Sequence, residues 1–260
     1  NITSKTKAII PVHFAGKMCD IKNIKKIAKT NNLFLIEDCA HAIGAKFENK
    51  HAGTFGDAGC FSFYPTKNIT TIEGGMVICN SKNTAQGIQS FRNHGITRTL
   101  KQRFSAGKPW DYDEIEPGYN FRLDEIRASL GISQLKKISK LNNMRRKACE
   151  YYTSKLKKIK GIESPEISKS TDNAFHLYII KIKKDYGISR DKLFLKLLDS
   201  GIRTSVHYKP LHDFTIFKKM AKIKRGLNNS TTLYNEILSL PLYPTITQQE
   251  QDYVIHNLKN

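Results

Sequence analysis

The chain has 260 residues, 39% of them hydrophobic, which is enough for one large globular domain or two ordinary ones and excludes a disordered chain. Its longest apolar runs, such as residues 33–36 and 77–79, are far shorter than the roughly 20 residues that cross a bilayer, so we expect no membrane span. The formal net charge of +20 favours anionic partners such as nucleic acid, anionic membranes or phosphorylated small molecules. The lysines are scattered without an Arg-rich block, so we expect a solvated basic surface and no nucleic-acid partner.

The first part of the chain has the pattern of a β-α-β unit. The apolar residues within 7–13 predict a buried strand, and the continuous apolar run at 33–36 predicts another. Between them, Asp20 is placed to cap a helix, because apolar residues recur after it at helical spacing. These apolar residues are Ile21, Ile24, Ile27 and Ala28.

The next segments continue an α/β pattern. Short strands are predicted at 59–63 and 76–79, and a helix is predicted around 84–94, which together indicate an α/β sandwich. Residues 97–119 are polar and contain Gly, Pro and several aromatic side chains, so we expect a long loop there. Loops of this length are usually functional.

The second part of the chain has a different order of predicted helices and strands. An apolar stripe from 123 to 156 predicts one or two long helices, and after Gly161 strands and helices alternate as in a smaller α+β domain that begins near residue 142. The predicted elements are a strand at 175–182, a helix at 191–200, a short strand at 203–207, and helices near 231–240 and 248–258.

The five cysteines are odd in number, widely spaced and without a CxxC pair. Neither a disulfide framework nor a zinc site is indicated, and we expect no metal site and a reducing, cytoplasmic compartment. The first five residues lack an initiator Met, a charged stretch and an apolar stretch, so we expect no signal peptide and a sequence that begins in mid-protein.

Two residues between 38 and 75 could carry chemistry. Asp38 follows a predicted strand, and open α/β sheets bind ligands at the carboxyl ends of their strands, although an isolated Asp there is more often a helix cap. Lys67 lies in a largely apolar, β-branched segment, where desolvation lowers the pKa of an amine and favours Schiff-base chemistry. By itself, one lysine in a lysine-rich chain is weak evidence. His13 and the other isolated histidines are interpreted as structural or surface residues.

Residues 37–45, 56–68 and 73–75 together resemble the core of the DegT/DnrJ/EryC1/StrS family of nucleotide-sugar aminotransferases. The resemblance continues, in order and with the expected spacing, over nearly the whole chain. The further matching segments are 91–95, 117–125, 206–212 and 239–244. The resemblance implies the aspartate-aminotransferase fold. Residues 1–141 would form a three-layer α/β/α large domain that binds pyridoxal phosphate and is incomplete at its N-terminus. Residues 142–260 would form a smaller C-terminal α+β domain.

The resemblance also implies roles for individual residues. Lys67 matches the lysine that binds pyridoxal 5'-phosphate (PLP) covalently and moves the proton, and Asp38 matches the carboxylate that pairs with the pyridine nitrogen. Ser62 matches a phosphate-binding hydroxyl, and His41 lies where the family has Gln or His beside the ring oxygen. Asn120 matches an Asn that reaches the partner subunit's cofactor phosphate, which implies a homodimer; from the residues alone it could equally cap a helix.

The match also carries weaker implications and one departure. His207 and Tyr208 match a segment of the small domain that approaches the sugar substrate. Family members carry an N-terminal phosphate loop and an aromatic side chain that stacks on the cofactor; neither is found here, so we expect a fragment that binds cofactor poorly alone. One branch of the family replaces the lysine by histidine and dehydrates its substrate. Lys67 therefore favours transamination.

The sequence thus predicts PLP-dependent transamination of a keto group on a nucleotide-linked sugar of the 4-keto-6-deoxy type, with glutamate as the amino-acid donor. Two alternatives stay open at this point. One is a non-catalytic or regulatory protein on the same fold, because fold does not fix function. The other is a basic nucleic-acid-binding protein, which only the net charge supports.

Overall fold

The computed structural model describes residues 1–167, 171–220 and 226–259, which pack as two units, Asn1–Ile138 and Ser139–Asn260. The assignment of residues 1–141 and 142–260 as two functional domains stays a prediction. None of the helices within the described ranges is long and apolar enough to cross a bilayer.

The first unit is built on a four-stranded sheet, whose strands in spatial order are β1 (Ala8–Ile9), β2 (Phe34–Asp38), β5 (Ala58–Ser62) and β6 (Gly75–Cys79). The strands β1, β2 and β5 run parallel, and β6 is antiparallel to β5. Its elements are β1 (Ala8–Ile9), α1 (Ile21–Thr30), β2 (Phe34–Asp38), β3 (Lys46–Phe47), β4 (Lys50–His51), β5 (Ala58–Ser62), β6 (Gly75–Cys79), α2 (Lys82–Phe91), α3 (Leu100–Ser105) and α4 (Glu125–Leu135).

The predicted β-α-β unit is present, with one correction. The side chain of Asp20 accepts a hydrogen bond from the backbone N–H of Asn23 and caps α1 as predicted. The first strand is shorter and less buried than predicted: only Ala8–Ile9 forms β1, and Ile10 and Val12 are 62% and 48% exposed. Pro11 has no N–H to donate, so regular pairing stops there and resumes only as a single bridge between Val12 and Asp38.

Two further predictions in this unit are refined. The predicted loop at 97–119 contains α3, whose N-terminus is closed by a capping box between Thr99 and Gln102. The long helical stripe forms two helices, α4 and α5 (Ile138–Leu156), and α4 is capped by Asp124. Asn120 is therefore not the cap of this helix.

The second unit contains a three-stranded antiparallel sheet, whose strands in spatial order are β10 (Ile237–Leu240), β9 (Tyr178–Ile182) and β7 (Ile162–Glu163). Besides α5, its elements are β7 (Ile162–Glu163), β8 (Thr171–Asp172), β9 (Tyr178–Ile182), α6 (Arg190–Asp199), α7 (Thr215–Met220), α8 (Asn228–Glu236), β10 (Ile237–Leu240) and α9 (Gln248–Lys259). Its core is a cluster of side chains from the helices and the sheet, among them Tyr152, Tyr178, Leu193, Leu197, Leu238 and Leu258.

Two predictions in this unit are wrong in type or extent. The predicted helix at 231–240 ends at Glu236, and Ile237–Leu240 is a strand whose four residues are all buried against β9. A short apolar run fits a buried helix or a buried strand equally well, so periodicity could not separate them. The predicted strand at 203–207 is reduced to one bridge between Ser205 and Ser239.

Candidate active site

Asp38 is the last residue of β2 and is held by its neighbours on both sides. Its N–H donates to Pro11 O at 2.9 Å, and its carbonyl accepts the N–H of His13 at 3.0 Å. On the other side, β5 pairs Cys60 with Asp38. The side-chain Oδ1 accepts the N–H of Ala40 at 3.0 Å. The half-buried carboxylate therefore has a fixed position at the carboxyl edge of the parallel strands, where ligands of such sheets bind.

Lys67 lies in a closed loop between β5 and β6. Its N–H donates to Tyr64 O at 2.9 Å, and the following Asn68 and Ile69 are buried. The loop closes where the N–H of Thr71 donates to Phe63 O at 3.0 Å. Lys67 is thus a half-buried side chain on a loop whose ends are fixed by the sheet.

Burial and the charge of Asp38 act on Lys67 in opposite directions. Burial lowers the pKa of the Lys67 amine, and the negative charge of Asp38 offsets part of that decrease. The direction is the one expected from the apolar sequence around Lys67. An amine with a lowered pKa is neutral in a larger fraction of molecules, which suits a nucleophile.

Ser62 is the last residue of β5, opposite Gly75 of β6. Its Oγ accepts the N–H of Tyr64 at 3.4 Å, and the side chain is half-buried. Ser62 and Asp38 therefore end neighbouring parallel strands, on the edge that leads into the Lys67 loop. A phosphate-binding role for Ser62 stays a prediction.

His41 is buried just after β2. Its Nδ1 accepts the N–H of Ala15 at 3.4 Å, and its ring lies 5.9 Å from the ring of Phe14. These contacts fix the ring orientation. The predicted role of His41 beside a cofactor is not tested by them.

The remaining predicted residues lie elsewhere in the chain. Asn120 is exposed, forms a backbone bridge with Asn93, and accepts a hydrogen bond at Oδ1 from Arg122 Nε at 3.0 Å. In the second unit, His207 Nδ1 lies 2.7 Å from Ser239 Oγ. The ring of Tyr208 packs edge-on against the His207 ring, with 4.8 Å between the ring centroids. Their roles toward a partner subunit and a sugar stay predictions.

A buried polar pair that was not predicted from the sequence lies beside this edge. Glu37 and His13 are both 0% exposed, and His13 Nε2 lies 2.9 Å from Glu37 Oε2. His13 is therefore a structural residue, one of the two interpretations given above, but its partner Glu37 was not predicted. The missed signal was Glu37 itself, because a carboxylate inside a strand with buried neighbours needs hydrogen-bond donors.

Glu37 has a full set of donors. The N–H groups of Gly53, Phe55 and Gly56 donate to its two oxygens at 2.7–2.8 Å, in addition to His13. Burial alone would raise the pKa of Glu37, but these hydrogen bonds outweigh it and the pKa is lowered. His13, Glu37 and Cys39 place potential metal-ligand atoms within 4.8 Å of one another, yet both Glu37 oxygens are already used by hydrogen bonds.

Comparison with known proteins identifies the family. A family model described as the DegT/DnrJ/EryC1/StrS aminotransferase family matches residues 1–259. The chain belongs to this aminotransferase family. The resemblance inferred from the sequence motifs is thereby confirmed.

Two curated relatives of this family member are informative. The spore coat polysaccharide biosynthesis protein SpsC of Bacillus subtilis is 34% identical over 100% of the chain and 67% of its own length. The UDP-4-amino-4,6-dideoxy-N-acetyl-beta-L-altrosamine transaminase of Campylobacter jejuni is 35% identical over 95% of the chain and 63% of its own length. The chain thus spans about two thirds of the length of these relatives.

Solved structures of family members share the fold. Helicobacter pylori PseC, an aminotransferase involved in the biosynthesis of pseudoaminic acid, matches 99% of the chain and 67% of its own, with a TM-score of 0.89 and 29% identity. A Streptococcus pneumoniae protein assigned as a sugar aminotransferase, in its PLP-form, matches 99% of the chain and 69% of its own, with a TM-score of 0.86 and 28% identity. The predicted PLP-transferase-like α/β fold is confirmed.

Proposed function

We propose that this chain catalyses PLP-dependent transamination of a keto group on a nucleotide-linked sugar. The observation that carries the proposal is that Lys67, an amine whose pKa is lowered by burial, lies within electrostatic reach of Asp38, whose carboxylate accepts the N–H of Ala40 at the end of β2. Membership of an aminotransferase family supports it independently.

The residues at this edge fit PLP chemically. The Lys67 amine can bond to an aldehyde, the Asp38 carboxylate can balance a protonated ring nitrogen, and the Ser62 hydroxyl can donate to a phosphate. His41 supplies a ring of fixed orientation close to Asp38 in sequence. When bound, PLP supplies an electron sink that stabilises negative charge on the carbon beside the amino nitrogen.

The chain's own groups would then divide the remaining work. Lys67 Nζ is the base that takes a proton from the substrate carbon and returns it, because a neutral amine can accept it and the ammonium can donate it. The Asp38 carboxylate, whose Oδ1 accepts the N–H of Ala40 at 3.0 Å, would pair with the protonated ring nitrogen of the bound cofactor. Without this carboxylate the electron sink would be weaker.

The finer parts of the proposal rest on relatives and on sequence motifs. The name of the Campylobacter jejuni relative supports a nucleotide-linked 4-keto-6-deoxy sugar as acceptor, and we propose glutamate as the amino-acid donor. We propose that His207 and Tyr208 contact the sugar, and that Asn120 acts at the cofactor phosphate of a partner subunit in a homodimer. The described free cysteines support a reducing, cytoplasmic location.

A substrate screen with the full-length protein tests this proposal. Keto sugars linked to UDP, dTDP and GDP are each incubated with PLP and glutamate, and the amino sugar is detected by mass spectrometry. We expect an amino product from a 4-keto-6-deoxy sugar, no product with Lys67→Ala, and unchanged product with the control Lys157→Ala, which alters an exposed lysine. A colourless, inactive wild-type protein would contradict the proposal and favour a non-catalytic role.

A further inference from the structure

Glu37 holds three separate parts of the first unit together. Its strand position alternates with that of Asp38, so the two consecutive carboxylates point to opposite faces of β2. Glu37 Oε1 accepts the N–H groups of Phe55 and Gly56, while Oε2 accepts that of Gly53 and faces His13 Nε2. Because the carboxylate is 0% exposed, removing any of these donors leaves a buried charge under-solvated.

His13 transmits this anchoring to Asp38. The N–H of Cys19 lies 3.2 Å from His13 Nδ1, and His13 Nε2 lies 2.9 Å from Glu37 Oε2, so both ring nitrogens have a partner. Through its own N–H, His13 also donates to the carbonyl of Asp38 at 3.0 Å. The side chain of His13 is thus fixed by one residue of β2 and its main chain by the next.

The segment that His13 anchors also reaches His41. Residues 11–16 are called the 11–16 segment. Within it, Pro11 O accepts the N–H of Asp38, and the N–H of Ala15 donates to His41 Nδ1 at 3.4 Å. Ala15 has a φ of 57°, a left-handed conformation that residues other than glycine rarely adopt. Such a conformation persists only where neighbouring contacts impose it.

We propose that Glu37 and His13 are positioning residues that set Asp38 and His41 through the 11–16 segment. The inference rests on the proposed function, because Asp38 and His41 matter only if they face a cofactor. Neither Glu37 nor His13 touches substrate or cofactor in this account. Loss of the pair lets the 11–16 segment relax, which displaces the Asp38 main chain and releases the His41 ring.

The test uses full-length protein and three variants of the pair. His13→Leu removes both ring hydrogen bonds, His13→Gln keeps one amide N–H for Glu37, and Glu37→Gln removes the charge while keeping the shape. The matched control is Asp57→Asn, because Asp57 Oδ2 accepts the N–H of Leu35 at 2.8 Å and so anchors the other end of β2. All variants are compared below their own melting temperatures, which are measured first.

Two readouts separate positioning from simple stabilisation. In the cofactor-free protein, hydrogen exchange at the Ala15 amide reports its bond to His41; with PLP added, visible absorbance reports cofactor affinity. In His13→Leu we expect the Ala15 amide to exchange at least about tenfold faster than in wild type. We also expect PLP to bind at least about tenfold more weakly, a loss of about 1.4 kcal/mol or more in binding free energy. His13→Gln should recover part of both, and Glu37→Gln should behave like His13→Leu.

The outcomes distinguish this inference from the proposed function. If the pair variants melt earlier, as Asp57→Asn does, but keep wild-type Ala15 exchange and PLP affinity, the pair is only structural and the inference is overturned. If His13→Leu does not fold, the other two variants decide in the same way. A wild-type protein that binds no PLP contradicts the proposed function. In that case Ala15 exchange still tests the inference: if the pair variants leave it unchanged, Glu37 and His13 do not position His41.

Discussion

Substitution of Gly59 by alanine tests how tightly the Glu37 loop is packed on the sheet. Gly59 is the second residue of β5, and a Cβ added there would lie 2.3 Å from Gly53 Cα and 2.6 Å from Gly53 O. Ordinary van der Waals contact begins near 3.4 Å, and the neighbouring atoms are backbone, which cannot rotate away as a side chain can. The 53–56 loop must therefore move by about 1 Å.

The cost follows from what this loop holds. Gly53 N–H donates to Glu37 Oε2 at 2.8 Å, so a displacement of that size takes the bond out of hydrogen-bonding distance. Overpacking costs about 1–3 kcal/mol, and losing a hydrogen bond to a buried charge costs about 1.5–3 kcal/mol. We expect Gly59→Ala to lower the free energy of unfolding by about 3 kcal/mol or more, and the melting temperature by about 6 °C or more.

Thermal unfolding followed by circular dichroism measures this effect, with hydrogen exchange at the amides of Gly53, Phe55 and Gly56 as the local probe. The control is Gly87→Ala in α2, where an added Cβ meets nothing within 4 Å. Alanine in a helix interior is favoured over glycine by about 0.5–1 kcal/mol, so this variant should be slightly more stable than wild type. A Gly59→Ala protein that melts like wild type, with unchanged exchange, would refute the packing described for this loop.

Two further predictions concern charge and the second unit. Asp38→Asn removes a negative charge that raises the pKa of Lys67, so more of the Lys67 amine is neutral at mildly alkaline pH. In cofactor-free protein, Lys67 should therefore be acylated faster than in wild type, while exposed lysines react at unchanged rates. Slower acylation of Lys67 would contradict the electrostatic effect of Asp38. Leu193→Ala should destabilise the second unit by about 2–5 kcal/mol in urea denaturation, because Leu193 is 0% exposed. The control Leu195→Ala, on the same helix but 59% exposed, should lower the free energy of unfolding by about 0.5 kcal/mol or less. Equal losses of stability in the two variants would contradict the placement of Leu193 in the core.

Local patterns in the sequence were sufficient for much of the first unit. The cap at Asp20 and the apolar spacing after it predicted α1, because capping and amphipathicity are local properties. The burial of Lys67 and the direction of its pKa shift also followed from the residues around it. Family motifs then added roles that no single residue could indicate.

The parts that failed depend on contacts between distant residues. Ile237–Leu240 is a strand because β9 supplies hydrogen-bond partners for it, which its four residues cannot reveal. The pair of Glu37 and His13 joins residues 24 positions apart, and a lone histidine gives no sign of such a partner. Ile10 and Val12 look buried by composition, yet they follow a strand of only two residues and are largely exposed.

Chemical trapping of PLP on the full-length protein shows whether Lys67 is the residue that binds the cofactor. The protein is incubated with PLP, reduced with borohydride and digested, and the modified peptide is identified by mass spectrometry. We expect one modified site, Lys67, with visible absorbance before reduction that Lys67→Ala loses. Reduced cofactor spread over exposed lysines, or none at Lys67, would contradict it.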